Sequence, residues 1–357
     1  MTIETLPSGK LRAVVRHGGR KMASKAVKTR AEARVLEAEL MMEMAASPDR
    51  GQHTVREIVE GFIGSVRLRG SAATADYYEQ AMRLAPDWFL DRDAGTVDVY
   101  VVDVLYKRLV GDGMTASNVI KLNRLLSAAF SRALKYAWIS SNPCKGASKP
   151  RTQTPEVTPP TVEQVQALIS EAVFANKDLA VALRVSAQTG VRRGELVALK
   201  WSDLTGARLG IRRSIVESKG EILISDTKTH SRGHRTISLD AKTVAQLETL
   251  QVEQAAIADD HLLPIPIWMF SHDAGVSAWR PEYMTTAFQR LNKTLKFAVR
   301  LHDLRHFHAT QLLSAGVDVT TVSRRLGHSK VSMTLDTYSH WLPSRDREAA
   351  DVMGALL

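Results

Sequence analysis

Four short stretches in the C-terminal half of the chain gather residue types that suit one kind of chemistry. They are Thr189-Gly190-Val191-Arg192-Arg193-Gly194-Glu195-Leu196, Thr227-Lys228-Thr229, His302-Asp303-Leu304-Arg305-His306, and Leu326-Gly327-His328 running on to Thr337-Tyr338-Ser339-His340. A phosphate under nucleophilic attack gains negative charge on its equatorial oxygens, and planar guanidinium groups grip such oxygens two at a time. Arg192 and Arg305 suit that role, with Arg193 as a rival at the first position. Glu195 falls one helical turn beyond Arg192, close enough to hold its guanidinium. A tyrosine hydroxyl has an unperturbed pKa of about 10, so Tyr338 would need a base or positive surroundings to attack phosphorus at neutral pH. His302 is the candidate base. His302, His306 and His308 also invite a zinc reading, but the cluster offers no fourth ligand, and the charge of Arg305 inside it would oppose a cation. His306 and His308 are expected to be packed or hydrogen-bonded.

Taken together and in this order, the four segments resemble the tyrosine recombinase family, the phage-type integrases, over the region from about 157 to 343. The resemblance implies a site-specific DNA recombinase that cleaves and rejoins strands through a 3′-phosphotyrosyl link at Tyr338, to integrate and excise DNA. It selects Arg192 over Arg193, because the family's catalytic arginine follows Thr-Gly-x directly. It makes Lys228 the acid that protonates the departing 5′ oxygen, and it puts His328 where relatives carry a histidine or tryptophan bonded to the phosphate. Because the phosphotyrosyl link keeps the energy of the broken bond, no ATP is implied, and because arginines and lysine do the charge neutralisation that metal ions supply elsewhere, no metal cofactor is implied either. The lack of a Gly-x-x-x-x-Gly-Lys phosphate loop agrees with that. Two features depart from the pattern: the step from His328 to Tyr338 is one residue longer than in several relatives, and the turn after Lys228 carries His230 and His234.

The rest of the chain must position these residues. The implied fold class is multidomain and mainly α with small antiparallel β-sheets. Residues 1–50 begin with Lys10, Arg12, Arg16, Arg20, Lys21 and Lys25 around a Gly18-Gly19 turn, followed by a helical pattern at Ala33, Leu36, Leu40 and Met44. They read as a small basic sheet backed by a helix, resembling an arm-type DNA-binding domain. Residues 53–145 read as a helical core-binding domain with Thr54 and Thr115 as N-caps. Its clearest helix runs from Thr115 to Trp138, with Lys121 and Arg124 off the apolar stripe and free to touch phosphates. Asn142-Pro143 would stop it. A Gly/Ser/Pro/Thr-rich linker covers 146–160, and the Thr161/Gln164 capping box opens a catalytic domain over 161–343. Inside that domain, Leu209 to Val216, Glu221 to Ser225 and Arg235 to Leu239 read as one small antiparallel sheet. Residues 344–357 form a tail whose Ala349, Val352, Met353 and Leu356 make an apolar stripe, suited to docking on a neighbouring protomer.

A length of 357 residues suits two or three domains. A formal net charge of +10 favours a polyanionic partner, foremost nucleic acid. No run approaches the roughly 20 apolar residues of a spanning helix, and no apolar run follows Met1, so the cytoplasm of a bacterial host is the expected place and no membrane is involved. The lone Cys144 excludes an internal disulfide. The resemblance further implies core-type and arm-type double-stranded DNA sites, a homo-tetramer on DNA, and DNA-bending and directionality proteins as partners. A type IB topoisomerase is disfavoured by the arm-like N-terminal segment, and a regulator without activity by the intact set of matched positions. A metal-dependent hydrolase would require chelator sensitivity.

Overall fold

The computed structural model of the chain describes residues 2–17, 20–45, 53–69, 72–151, 158–226, 234–341 and 346–356. The chain forms two compact units, residues 1–154 and 155–357. In the first, strands β1 (Thr2–Thr5), β2 (Leu11–His17) and β3 (Arg20–Ala23) form an antiparallel sheet in that order, with Thr2 facing Val14 and Val15 facing Met22. Helix α1 (Arg30–Ala45) backs the sheet, and Ala33 and Leu40 are buried there with Ala13, Val14 and Val15. Tyr136 also packs on this small core, joining the sheet module to the helices that follow.

Those helices are α2 (Val55–Leu68), α3 (Ala72–Met82), α4 (Asp87–Leu90), α5 (Val99–Gly111) and α6 (Ala116–Lys135). Thr54 caps α2 in a reciprocal box with Glu57, and Thr115 caps α6 by accepting from the Asn118 amide. Leu105, Leu122, Leu126 and Phe130 are fully buried between them. The apolar stripe predicts a helix as far as Trp138, but α6 ends three residues earlier. Ala137 takes a left-handed conformation with φ 58°, and the Trp138 amide donates to the Ala133 carbonyl, so the chain turns in a Schellman-type cap built on alanine instead of glycine. Trp138 still packs on the core, from outside the helix. Cys144 is fully buried, and burial pushes its thiol up to about 12, so it is inert.

In the second unit, helices α7 (Val162–Ala175), α8 (Lys177–Thr189) and α9 (Arg193–Leu196) lead into β4 (Leu204–Thr205), β5 (Arg208–Ile211), β6 (Arg213–Ser218), β7 (Glu221–Asp226) and β8 (Arg235–Ser238). The run expected as one strand from Leu209 to Val216 is divided at Arg212, and the single sheet becomes two. Strand β5 pairs with β4 and β8, whereas β6 and β7 form a separate hairpin. The anchor at this crossing is Arg213, whose Nη1 donates to the buried Asp203 carboxylate at 2.5 Å. Helices α10 (Ala241–Asp260), α11 (Pro281–Leu295), α12 (Asp303–Ser314), α13 (Val319–Leu326), α14 (Ser332–Tyr338) and α15 (Asp346–Leu356) follow. Leu183, Leu196, Ile237, Phe270, Trp279 and Leu304 share one large core. No helix among the described residues is long and apolar enough to cross a membrane.

Candidate active site

The turn from α8 to α9 sets the first arginine. Gly190 ends α8 with φ +64°, and a Cβ there would lie 2.8 Å from both the His308 ring and the Leu326 side chain, so only glycine fits. The turn delivers Arg192 to the N-cap of α9. The Glu195 carboxylate accepts from the Arg192 amide at 3.0 Å and from its Nη1 at 2.8 Å, which fixes backbone and guanidinium with one side chain. Arg192 Nη2 reaches the Gly327 carbonyl at 3.4 Å. Its neighbour Arg193 donates instead to the Thr285 hydroxyl at 2.6 Å.

Glu195 is itself held by a residue that sequence reasoning passed over. Arg235, on β8, donates from Nη2 to Glu195 Oε2 at 2.7 Å and from Nε to the Arg325 carbonyl at 2.7 Å. Burial raises the Glu195 pKa, but the hydrogen bond and charge of Arg235, and then those of Arg192, outweigh it and hold the carboxylate below its ordinary range. An arginine within a short alternating run gives no sign of a partner forty residues away.

Arg305, on α12, is the second predicted arginine and is 3% exposed. Its Nη1 donates to the Gly190 carbonyl at 2.6 Å, whereas its Nη2 is buried with no hydrogen-bond partner among the described residues. Burial, and then the charge of Arg192, work against its own charge and push its pKa down to about 9. Such a site gains from an anion. His328 follows the left-handed cap Gly327, and its Nδ1 lies 2.8 Å from the Thr334 hydroxyl. Burial and the charges of Arg305, Arg192 and Arg235 lower its pKa to about 4, so the ring is neutral at pH 7. His302 stands exposed at the N-cap of α12; desolvation of its packed side and the charges of His306 and Arg305 lower its pKa as well. Beside it lies a cleft of about 330 Å³ lined by Val191, Arg193, Arg300 and His302.

Tyr338 closes α14 and is 2% exposed, its ring packed with Ala309, Leu313, Val322 and Leu326. Burial raises its pKa, and the charge of Arg305 only partly offsets this. The hydrogen-bonding group at its hydroxyl is His306, whose Nδ1 lies 2.7 Å from Tyr338 Oη. The His302 and His306 rings are 5.0 Å apart. His308 is buried beneath Gly190, with Nδ1 donating to the Ala187 carbonyl at 3.2 Å. Arg192, Glu195, His302, Arg305, His328 and Tyr338 thus share one electrostatic neighbourhood, joined by Arg235 and His306. The acid assigned to Lys228 lies outside the described residues.

Of the basic residues predicted to meet DNA, Lys10, Lys25 and Arg124 are exposed. Arg12 is paired with Glu4 at 2.8 Å. Lys121 sits over the Tyr77 ring at 4.8 Å and donates to Gln80. Arg16, Arg20 and Lys21 fall on β2 and β3, and their side chains lie outside the described residues.

The chain is 25% identical to the ICEBs1 integrase of Bacillus subtilis (strain 168), an alignment spanning 100% of both chains. Its structure is similar to that of the Tn1549 transposon integrase in complex with a circular intermediate DNA, with a TM-score of 0.70 at 21% identity, covering 85% of this chain and 99% of the other. It is also similar to a lambda integrase tetramer bound to a Holliday junction, with a TM-score of 0.61 at 15% identity over 96% and 95% of the two chains. Residues 161–345 match the phage integrase family. That match spans more than half of the chain and every described residue of the site above, and the chain therefore belongs to the phage integrase family, the tyrosine recombinases that cut and rejoin DNA at specific sites through a phosphotyrosyl intermediate.

Proposed function

We propose that Tyr338 is the nucleophile of this recombinase, and that Arg192, Arg305 and His328 bind the phosphate it attacks. The observation that carries the reading is the buried Nη2 of Arg305, a charged donor with no partner among the described residues and held rigid by the Gly190 carbonyl. A phosphate oxygen would satisfy it. Arg192, aligned by Glu195, supplies a second guanidinium, and neutral His328 a further donor. As the phosphorus becomes five-coordinate, these fixed groups stabilise its added charge without reorganising. Lys228 then protonates the departing 5′ oxygen. His302, within the field of both arginines, belongs to the phosphate's surroundings. In this reading no metal or ATP takes part. Arg192→Ala and Arg305→Ala should each slow formation of the covalent protein–DNA adduct by about 10² to 10³, the usual effect of deleting one such donor, while DNA affinity changes far less. An unchanged adduct rate in Arg305→Ala would overturn the assignment.

The same reading gives the remaining segments their tasks. Residues 53–145 serve as the core-binding domain and 161–343 as the catalytic domain, joined by the linker 146–160, and Lys121 and Arg124 meet DNA phosphates. The module of residues 1–50, with Lys10, Arg12, Arg16, Arg20, Lys21 and Lys25, binds arm-type sites, and two contacts on one DNA raise the effective concentration of each. The lambda integrase tetramer on a Holliday junction supports a tetramer for this chain too. Helix α15 leaves Val352, Met353 and Leu356 exposed, which fits docking on a neighbouring protomer. Deleting residues 345–357 should then weaken the tetramer on paired sites; unchanged tetramers would remove the idea. DNA-bending and directionality proteins complete the assembly, in the cytoplasm of a bacterial host.

A further inference from the structure

We propose that His306, and not His302, takes the phenolic proton when Tyr338 attacks DNA and returns it when the strands are rejoined. The inference rests on the reading of Tyr338 as the nucleophile and adds the proton's destination. The geometry is direct: Tyr338 Oη lies 2.7 Å from His306 Nδ1, within the range where a general base must sit. His302, whose ring is 5.0 Å from that of His306, is the more exposed of the two. The Tyr338 side chain is buried in the cluster with Ala309, Leu313, Val322 and Leu326, and burial disfavours a free phenolate, so the proton must leave as the oxygen–phosphorus bond forms.

His306 is suited to receive it. The ring is half-buried in contact with Tyr338, and burial lowers its pKa, so it is neutral and holds one open nitrogen at pH 7. Its backbone is fixed within α12, where the Thr310 hydroxyl donates to its carbonyl. With the ring proton on Nε2, Nδ1 accepts from the hydroxyl. In the cleavage step Tyr338 Oη bonds to phosphorus, the phosphorus–5′ oxygen bond breaks, the phenolic proton moves to Nδ1, and the acid protonates the 5′ oxygen. Burial and the charges of Arg300 and Arg305 oppose the resulting imidazolium more than the nearby Asp303 favours it, which keeps it acidic and favours return of the proton when the 5′ hydroxyl attacks.

The test is single-turnover cleavage of a nicked core-site DNA by the full chain, comparing wild type, His306→Asn and Tyr338→Phe. Asparagine places an amide near the Nδ1 position, so it can keep a hydrogen bond but cannot accept a proton. His306→Asn should cleave about 10²-fold slower at neutral pH, the common effect of losing a general base. Its rate should climb about tenfold per pH unit as the phenol ionises unaided, while wild type levels off. A DNA with sulfur in place of the departing 5′ oxygen, which leaves without a proton, should not rescue it. His306→Ala, cleaving faster when imidazole is added, would support the same conclusion if the asparagine variant folds poorly. A near-wild-type rate in His306→Asn, a deficit that does not change with pH, or full rescue by the sulfur substrate would overturn the proposal. If Tyr338→Phe still forms adduct, the nucleophile reading itself fails; if it is silent while His306→Asn is normal, only the role of His306 does.

Discussion

Arg235 and Glu195 form a buried ion pair, with Nη2 and Oε2 2.7 Å apart and the side chains 7% and 3% exposed. The carboxylate also accepts from Arg192, so the placement of the Arg192 guanidinium depends on a second arginine. Removing one partner of such a pair strands a buried charge and costs about 3–5 kcal/mol. Arg235→Met should lower the unfolding free energy by that order in denaturant titration, and should also slow adduct formation by freeing Glu195 from its position. A stability loss below about 1 kcal/mol, the scale of an exposed pair, would show that the pair does not organise the site.

Glu195 also predicts an acid limb. Its folded pKa lies below the ordinary value of 4.5, so the stability it contributes is fully present above pH 4.5 and is lost as pH falls through the folded value. The slope of unfolding free energy against pH in that window should flatten in Glu195→Gln; an unchanged slope would contradict the assignment.

His308 and His328 act at higher pH. Burial lowers their pKa values from 6.5 to about 3 and about 4, so the unfolded chain takes up protons that the folded chain refuses. Their contribution is complete above pH 6.5 and declines as pH falls toward about 4 for His328 and about 3 for His308, at up to about 1.4 kcal/mol per pH unit for each ring. Replacing His308 by Gln should remove its share of that slope, read by chemical denaturation at a series of pH values.

Gly190 joins backbone strain to the site. Ala in its place adopts φ +64° at a cost of about 1–2 kcal/mol, and its methyl group lies within 2.8 Å of His308 and Leu326, adding about 1–3 kcal/mol of overpacking. Because the Gly190 carbonyl accepts from Arg305, Gly190→Ala should reduce adduct formation as well as thermal stability. A variant as stable as wild type would contradict the tight approach.

Much of this architecture was legible in the sequence, because caps and motifs are local signals. Thr54, Thr115 and the Thr161/Gln164 box mark helix starts, and the segments around Arg192, Arg305, His328 and Tyr338 are recognisable by their order. What escaped depends on contacts between distant positions. Nothing near Arg235 announces Glu195, and three histidines at the start of and along α12 do not say which one meets Tyr338. The division of the sheet at Arg212 is a matter of pairing, to which alternation is blind. The early end of α6 escaped because alanine, not glycine, takes the left-handed position.

The central claim is that the Tyr338 oxygen becomes bonded to DNA. The most direct measurement is to trap the covalent complex on a nicked attachment-site DNA in the presence of EDTA, digest both components, and identify by mass spectrometry the peptide that carries the nucleotide remnant. The account predicts the remnant on Tyr338, full yield with EDTA, and no complex from Tyr338→Phe. A remnant on any other residue, or a complex that forms only when divalent metal is supplied, would contradict it.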